Sequence, residues 1–96
     1  MSATTVVNLR TAPYDVYIGK PRPGQDGTFG NPYWVNREEI RLQVIEQYRG
    51  YFHKRLAEDP VFKAKVLALK GKRLGCFCVP KPCHGQVIAD YLNGLP

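Results

Sequence analysis

Residues 73–94, RLGCFCVPKPCHGQVIADYLNG, pass from an apolar run into an amphipathic run, and this stretch decides the fold class. The segment RLGCFC predicts a strand in which Phe77 points into the core. The residues from about Pro82 to Asn93 predict a helix. The buried side of this helix carries four apolar residues: Val87, Ile88, Tyr91 and Leu92. A strand that leads directly into a helix is a βα unit, which is typical of α/β proteins.

The rest of the chain predicts further strands and helices. Residues 4–9 and 14–18 are β-branched and apolar and predict two short strands. One helix begins at Asn36, which stands in the cap position of a capping box, and a second begins at Asp59. The order is therefore β, β, loop, α, α, β, α. It indicates one α/β domain over residues 1–96, with a small sheet of three or four strands flanked by helices.

The composition restricts the class of protein. The chain has 96 residues, three cysteines and a formal net charge of +6. A basic chain favours anionic partners such as nucleotides or nucleic acid. The N-terminus lacks the pattern of a signal peptide, and no apolar run approaches the roughly 18 residues of a membrane span. We therefore expect a cytoplasmic protein without a membrane partner, in which the cysteines do not form a disulfide framework.

The cysteines and one histidine form a dense cluster of potential metal ligands. Cys76, Cys78, Cys83 and His84 lie within nine residues, in the pattern C-x-C-x4-C-H. Three cysteines and one histidine are an accepted ligand set for zinc. Cys76 and Cys78 are two apart on the predicted strand, so their side chains share one face. The first hypothesis for this cluster is a zinc site that uses all four residues or a subset of them.

The same turn also matches an anion site. Peptide N–H groups at a helix start attract phosphate, Gly85 permits close backbone approach, and Lys81 adds positive charge. The field of the helix would also lower the pKa of Cys83, which makes this thiol a candidate nucleophile. His84 would then act as a general base or donate a hydrogen bond to phosphate. The cysteines could also simply pack in the core.

Other polar residues are expected near the same edge of the sheet. Asn8 and Arg10 close the first strand, and Arg10 could form paired hydrogen bonds with a phosphate. The long loop over residues 19–33 is rich in glycine and proline, and a loop of this length in a small domain is often functional. Within it, Lys20 supplies a positive charge, and the Gly30–Asn31 turn presents an amide side chain.

Four motifs resemble those of a known family. They are VVNLR at 6–10, VYIGKP at 16–21, FGNPY at 29–33 and LGCFCVPKPCHGQVIADYL at 74–92. Together they resemble the domain of unknown function 4326 family of bacteria and phages, and actinobacteriophage members in particular. This resemblance implies a small Rossmann-like domain. The family's recurring polar positions would include Asn8, Arg10, Gly30, Asn31, Cys76, Cys78, Cys83 and His84.

Three functional hypotheses follow. The first is a module that binds a nucleotide or a nucleotide-derived phosphate ligand at the Cys83–His84 turn. The second is a zinc-binding protein that contacts nucleic acid or a host protein. The third is an enzyme that processes a nucleotide or nucleobase with Cys83 or His84. In addition, the aromatic face of the first helix (Tyr48, Tyr51 and Phe52) is large for one small core, which favours a homodimer.

Overall fold

The computed structural model describes residues 3–20, 23–24, 27–32, 37–77, 79 and 81–95. Within these ranges the strands are β1 (Thr5–Asn8), β2 (Val16–Tyr17) and β3 (Arg73–Cys76). The helices are α1 (Arg41–Glu58), α2 (Pro60–Leu67) and α3 (Gly85–Asn93), and a 3-10 turn over Glu38–Ile40 precedes α1. None of the helices described is long and apolar enough to cross a lipid bilayer.

The three strands form a parallel sheet in which β3, the last strand in the chain, occupies the centre. Asn8 pairs with Cys76, and Tyr17 pairs with Gly75. The carboxyl ends of all three strands therefore meet at one edge of the sheet. The prediction of a small α/β sheet flanked by helices is confirmed at this level.

The aromatic face of α1 is buried inside the same chain. Tyr48 and Phe52 are fully buried, and Tyr51 is half-buried. Phe52 packs edge-on against Phe62 of α2 and Tyr91 of α3, with ring centroids 5.9 and 5.7 Å apart. This face is therefore covered by α2 and α3 of the same chain. The homodimer stays a prediction.

Several predicted boundaries differ from the structure. The second strand spans only Val16–Tyr17 of the predicted 14–18, and α1 begins at Arg41 after the 3-10 turn.

Two further differences lie next to the site. The last strand ends at Cys76, and Phe77 is 36% exposed instead of buried. The Phe77 ring contacts the Tyr17 ring, and the Arg10 guanidinium lies 4.8 Å from its centroid. The last helix begins at Gly85 and not near Pro82, because the residues before it form the turn that returns from β3. Asn36, the predicted first cap, lies outside the described residues.

The second predicted cap is confirmed. The Asp59 carboxylate accepts hydrogen bonds from the backbone N–H groups of Val61 and Phe62, at 3.1 and 3.0 Å. These bonds satisfy donors that the first turn of α2 leaves without intrahelical partners. The bond from Phe62, the largest contribution, lowers the pKa of Asp59.

An ion pair joins β3 to the residue that precedes β2. The Arg73 guanidinium donates to both carboxylate oxygens of Asp15, at 3.2 and 3.0 Å, and the Arg73 backbone N–H donates to the same carboxylate at 2.8 Å. The hydrogen bonds from the Arg73 side chain are the main reason that the pKa of Asp15 falls to about 2.

Two glycines test the packing of this fold. A Cβ atom on Gly75, in the central strand, would lie 2.7 Å from the ring of Tyr14, whereas a Cβ atom on Gly50, within α1, would meet nothing within 4 Å. We expect Gly75→Ala to lower the free energy of unfolding by about 1–3 kcal/mol through overpacking. The matched substitution Gly50→Ala should raise it by about 0.5–1 kcal/mol, because alanine favours the helix. Urea denaturation measures both, and equal effects would contradict this packing.

The Asp15–Arg73 pair predicts a pH dependence of stability. Because the pKa of Asp15 lies below its ordinary value of 3.8, its contribution is present above that pH and is lost as the pH falls to about 2. The difference in unfolding free energy between the wild type and Asp15→Asn should therefore shrink across this window. When both proteins also carry Arg73→Gln, the difference in unfolding free energy that Asp15→Asn causes should be much smaller. A difference that stays constant from pH 5 to pH 2 would show that the ion pair does not form in solution.

Candidate metal centre

Three potential metal ligands meet at the carboxyl edge of the sheet. Cys76 ends β3, and Cys83 and His84 immediately precede α3. Their exposed fractions are only 3%, 4% and 8%. The two sulfur atoms and a ring nitrogen of the histidine all lie within 4.8 Å of one another. The structure therefore brings together three of the four predicted ligands, while Cys78 lies outside the described residues.

A hydrogen bond to the end of β2 determines which nitrogen of His84 is protonated. His84 Nε2 lies 2.7 Å from the backbone carbonyl oxygen of Ile18. Because a carbonyl oxygen only accepts, Nε2 carries the proton and donates it. In the neutral ring, Nδ1 is then an acceptor, and it lies 3.6 Å from Cys83 Sγ. Metal-binding histidines characteristically donate their second ring N–H to such a carbonyl.

The contact between Cys83 and His84 has two chemical interpretations. A tetrahedral zinc ion with bonds of about 2.3 Å to sulfur and about 2.1 Å to nitrogen separates those two atoms by about 3.6 Å. The observed separation of Cys83 Sγ and His84 Nδ1 has this value. The same distance also suits a hydrogen bond from a thiol to a ring nitrogen. Cys76 adds a third potential donor atom to the zinc set.

Tyr48 of α1 packs against the His84 ring. The two rings meet edge-on with centroids 4.9 Å apart, and the Tyr48 hydroxyl donates to the carbonyl of Phe29 at 3.0 Å. Burial raises the pKa of Tyr48, so the hydroxyl remains a donor.

Gly85 allows α3 to approach the sheet, because a Cβ atom there would lie 2.5 Å from Ile18 Cδ1. Gly85 thus serves internal packing.

Charged residues at the start of α1 hold the turn that leads into the cluster. Arg41 donates to the backbone carbonyl of Pro82 at 3.3 Å and to both carboxylate oxygens of Glu38 at 2.7 and 2.9 Å. Lys81 also reaches Glu38, at 3.4 Å. The Arg41 side chain is the main reason that the pKa of Glu38 falls to about 2. Lys81, predicted to bind a ligand, here contributes to the ion pairs around this turn.

The first N–H groups of α3 have acceptors within the chain. Gly85 N–H donates to Cys83 Sγ at 3.4 Å, and Gln86 N–H donates to the Cys83 carbonyl at 3.0 Å. Val87 N–H donates to the His84 carbonyl at 3.0 Å. These three donors are thus engaged, and they give no support to a phosphate at the helix start, which stays a prediction.

The other predicted site residues divide between two places. Asn8 donates to the Val79 carbonyl at 2.7 Å and accepts from the Arg10 backbone N–H at 2.9 Å, so this pair supports the turn after β3. Lys20, Gly30 and Asn31 instead line a separate pocket of about 480 Å³ beside α1. The structure therefore does not bring all the predicted ligand-binding residues together.

Sequence reasoning missed two groups that define the centre. The sequence gives no indication of the role of the Ile18 carbonyl, because every residue has a backbone carbonyl. Its role depends on where the fold places His84. The sequence places Tyr48 on the aromatic face of α1, and it is indeed buried. A tyrosine within a stripe of aliphatic and phenyl side chains was a signal that a hydroxyl partner is needed, since buried tyrosine hydroxyls usually have one.

Comparison with known proteins gives two matches. The model of the family described as Domain of unknown function (DUF4326) matches residues 4–94. An uncharacterised 12.4 kDa protein in the nrdA-td intergenic region of Enterobacteria phage T4 is 38% identical over 90 residues, which cover 94% of this chain and 78% of that protein. No solved structure matches the chain. The family resemblance predicted from the motifs is confirmed.

The tautomer of His84 can be measured directly. Long-range ¹H–¹⁵N correlation spectra of the metal-free protein should show His84 protonated at Nε2 and unprotonated at Nδ1, because Nε2 donates to Ile18. His53, the second histidine, serves as an exposed reference. A spectrum in which Nδ1 of His84 carries the proton would contradict the hydrogen bond and remove Nδ1 as a metal ligand.

Proposed function

The chain belongs to the DUF4326 family, and we propose that it is a zinc-binding protein in which Cys76, Cys83 and His84 bind one zinc ion. The observation that carries this proposal is the meeting of three buried donor atoms within 4.8 Å of one another. The histidine contributes Nδ1, since Nε2 is engaged with a backbone carbonyl. The centre would join the end of β3 to the start of α3.

The donor atoms favour zinc over other common cations. Two sulfurs and one imidazole nitrogen suit zinc, whereas magnesium and calcium prefer oxygen ligands. Both cysteines would bind as thiolates, so metal binding would release their protons. Zinc prefers four ligands. On the sequence pattern we propose Cys78 as the fourth; if Cys78 does not bind, the open position would be available to water or to a substrate.

A second candidate function is supported by the contact between Cys83 and His84. A thiol next to an unprotonated ring nitrogen, which is itself oriented by a third group, is the arrangement of an activated nucleophile. The Gly85 N–H that donates to Cys83 Sγ would stabilise the thiolate. An enzyme acting on a nucleotide or nucleobase would use this pair. Zinc bound to both residues would exclude this chemistry, so the two proposals compete for the same atoms.

The wider setting of the protein is also part of the proposal. We propose the Rossmann-like relationship on the basis of the parallel sheet and of a cluster at the carboxyl ends of its strands. We further propose the cytoplasm of the host as the location, because reduced cysteines suit a reducing compartment. A phage relative supports a phage origin.

Native mass spectrometry of the protein purified from zinc-supplemented cells tests the metal centre. We expect the mass of one zinc ion per chain, which is lost when a chelator is added. Cys76→Ser, Cys83→Ser and His84→Gln should each weaken zinc binding by at least about a hundredfold. His53→Gln, which removes the exposed histidine, should retain one zinc per chain. Loss of metal from the first three variants but not from the control would establish the ligands.

Replacement of zinc by cobalt tests the metal centre in the wild-type chain, so this test does not depend on the folding of a variant. The wild-type protein with cobalt should show sulfur-to-metal charge-transfer absorption, whose intensity reports the number of thiolates. Cys78→Ser then reveals whether this cysteine contributes. A wild-type chain that binds neither ion refutes the metal centre. In that case the rate of alkylation tests the second proposal. If Cys83 is alkylated much faster than Cys76, and His84→Gln removes this reactivity, the thiol–imidazole proposal replaces the metal centre.

A further inference from the structure

We propose that the pocket between residues 27–32 and α1 binds the phosphate group of a small molecule. This pocket, called here the anion pocket, has a volume of about 480 Å³ and is lined by Lys20, Thr28, Asn31, Tyr51 and Arg55, among other residues. The proposal goes beyond the zinc centre, because none of the proposed metal ligands lines this pocket. It also differs from the phosphate predicted at the start of α3, because the pocket has a different set of lining residues.

Two cations converge on the anion pocket, and both are held in place. The Lys20 ammonium donates to the backbone carbonyl of Asn31, and burial lowers its pKa. The Arg55 guanidinium lies 4.1 Å from the centroid of the Phe62 ring and donates to the Tyr51 hydroxyl at 2.8 Å. The described residues that line the pocket include no carboxylate. A partly desolvated pair of positive charges is a favourable environment for an anion.

One acidic residue lies behind the arginine. Asp59 Oδ2 is 3.6 Å from Arg55 Nε and belongs to the start of α2, outside the pocket lining. A single carboxylate leaves a net positive charge on the lysine and arginine together. It also fixes the plane of the guanidinium, so that less side-chain freedom is lost when a phosphate binds.

The remaining polar groups suit a phosphate. Phosphate oxygens accept hydrogen bonds from hydroxyl, amide and cationic donors, and the residues that line the pocket beside its cations include Thr28, Tyr51 and Asn31. The volume falls within the range of about 300–1,000 Å³ that is usual for small-molecule sites. The pocket therefore has both the donors and the room for a small phosphorylated molecule.

The backbone around the anion pocket is closely packed. A Cβ atom on Gly30 would lie 2.6 Å from the Gly19 carbonyl oxygen, so these two segments touch backbone to backbone. The Tyr48 hydroxyl holds the carbonyl of Phe29 on one side. On the other side, Lys20 lies two residues after Ile18, whose carbonyl accepts a hydrogen bond from His84. The loop thus presents its donors on a fixed frame.

The distribution of charge favours a small molecule over nucleic acid. Outside the anion pocket, five of the basic residues described each pair with a carboxylate at the surface. The pairs outside the anion pocket are Arg37–Glu39, Arg41–Glu38, Arg49–Glu46, Arg73–Asp15 and Lys81–Glu38. Nucleic-acid surfaces typically concentrate unpaired cations along one face. A concave pocket with two convergent cations instead suits one phosphorylated ligand.

Isothermal titration with inorganic phosphate, pyrophosphate and AMP tests the proposal, because these probes share the phosphate chemistry and differ in size. The wild-type chain should bind at least one of them. Arg55→Gln and Lys20→Gln should each weaken that binding by about tenfold or more, since each removes a charged donor. Lys54→Gln removes the same charge from an exposed neighbour on α1 and should change the affinity less than about twofold.

Three results would overturn the anion pocket. Absence of binding by the wild-type protein to all three probes, with folding confirmed by circular dichroism, would refute it. An equal loss of affinity in Lys54→Gln would show that only the overall charge matters. A single-stranded oligonucleotide that binds more tightly than any probe, with a steep salt dependence, would assign the basic surface to nucleic acid. Because zinc content is measured separately, failure here is distinguishable from failure of the metal centre.

Discussion

The hydrogen bond from His84 to the carbonyl of Ile18 is the interaction on which the rest of the site depends. It joins the residue after β2 to the residue before α3, and both groups are buried. Loss of either partner would leave a buried polar group unsatisfied, at a cost of about 1–3 kcal/mol. The bond also directs Nδ1 toward Cys83 and fixes the start of the segment that leads to Lys20. One contact thereby sets the chemistry of the cysteine cluster and the frame of the anion pocket.

The parallel sheet explains why these features share one face. Because β3 lies between β1 and β2, the chain leaves all three strands at the same edge, and the turn into α3 must pass across that edge. Tyr48 provides a second link, since its ring packs on His84 while its hydroxyl holds the 27–32 loop through Phe29. Such a residue couples two sites through rigid packing and does not require a conformational change.

The zinc and thiol–imidazole interpretations use the same atoms and differ in protons and charge. With zinc, Cys76 and Cys83 are thiolates whose charge the metal compensates, which makes a buried cluster of two sulfurs electrostatically acceptable. Without a metal, a single thiolate at Cys83 would rely on the Gly85 N–H and the imidazole. The Cys76 sulfur is buried within reach of both residues; it would be a ligand in the first case and a core side chain in the second.

The sequence alone determined the α/β class, the helix start at Asp59, the family and the local density of ligands in residues 76–84, because these depend on periodicity, capping chemistry and short spacings. It did not determine that Phe77 is exposed or that α3 begins at Gly85, since both depend on how the turn after β3 is held by residues distant in the chain. Nor could it separate the predicted site residues into a cysteine–histidine cluster and a separate pocket beside α1. That division follows from the order of the strands and from backbone carbonyls, whose positions only tertiary packing decides.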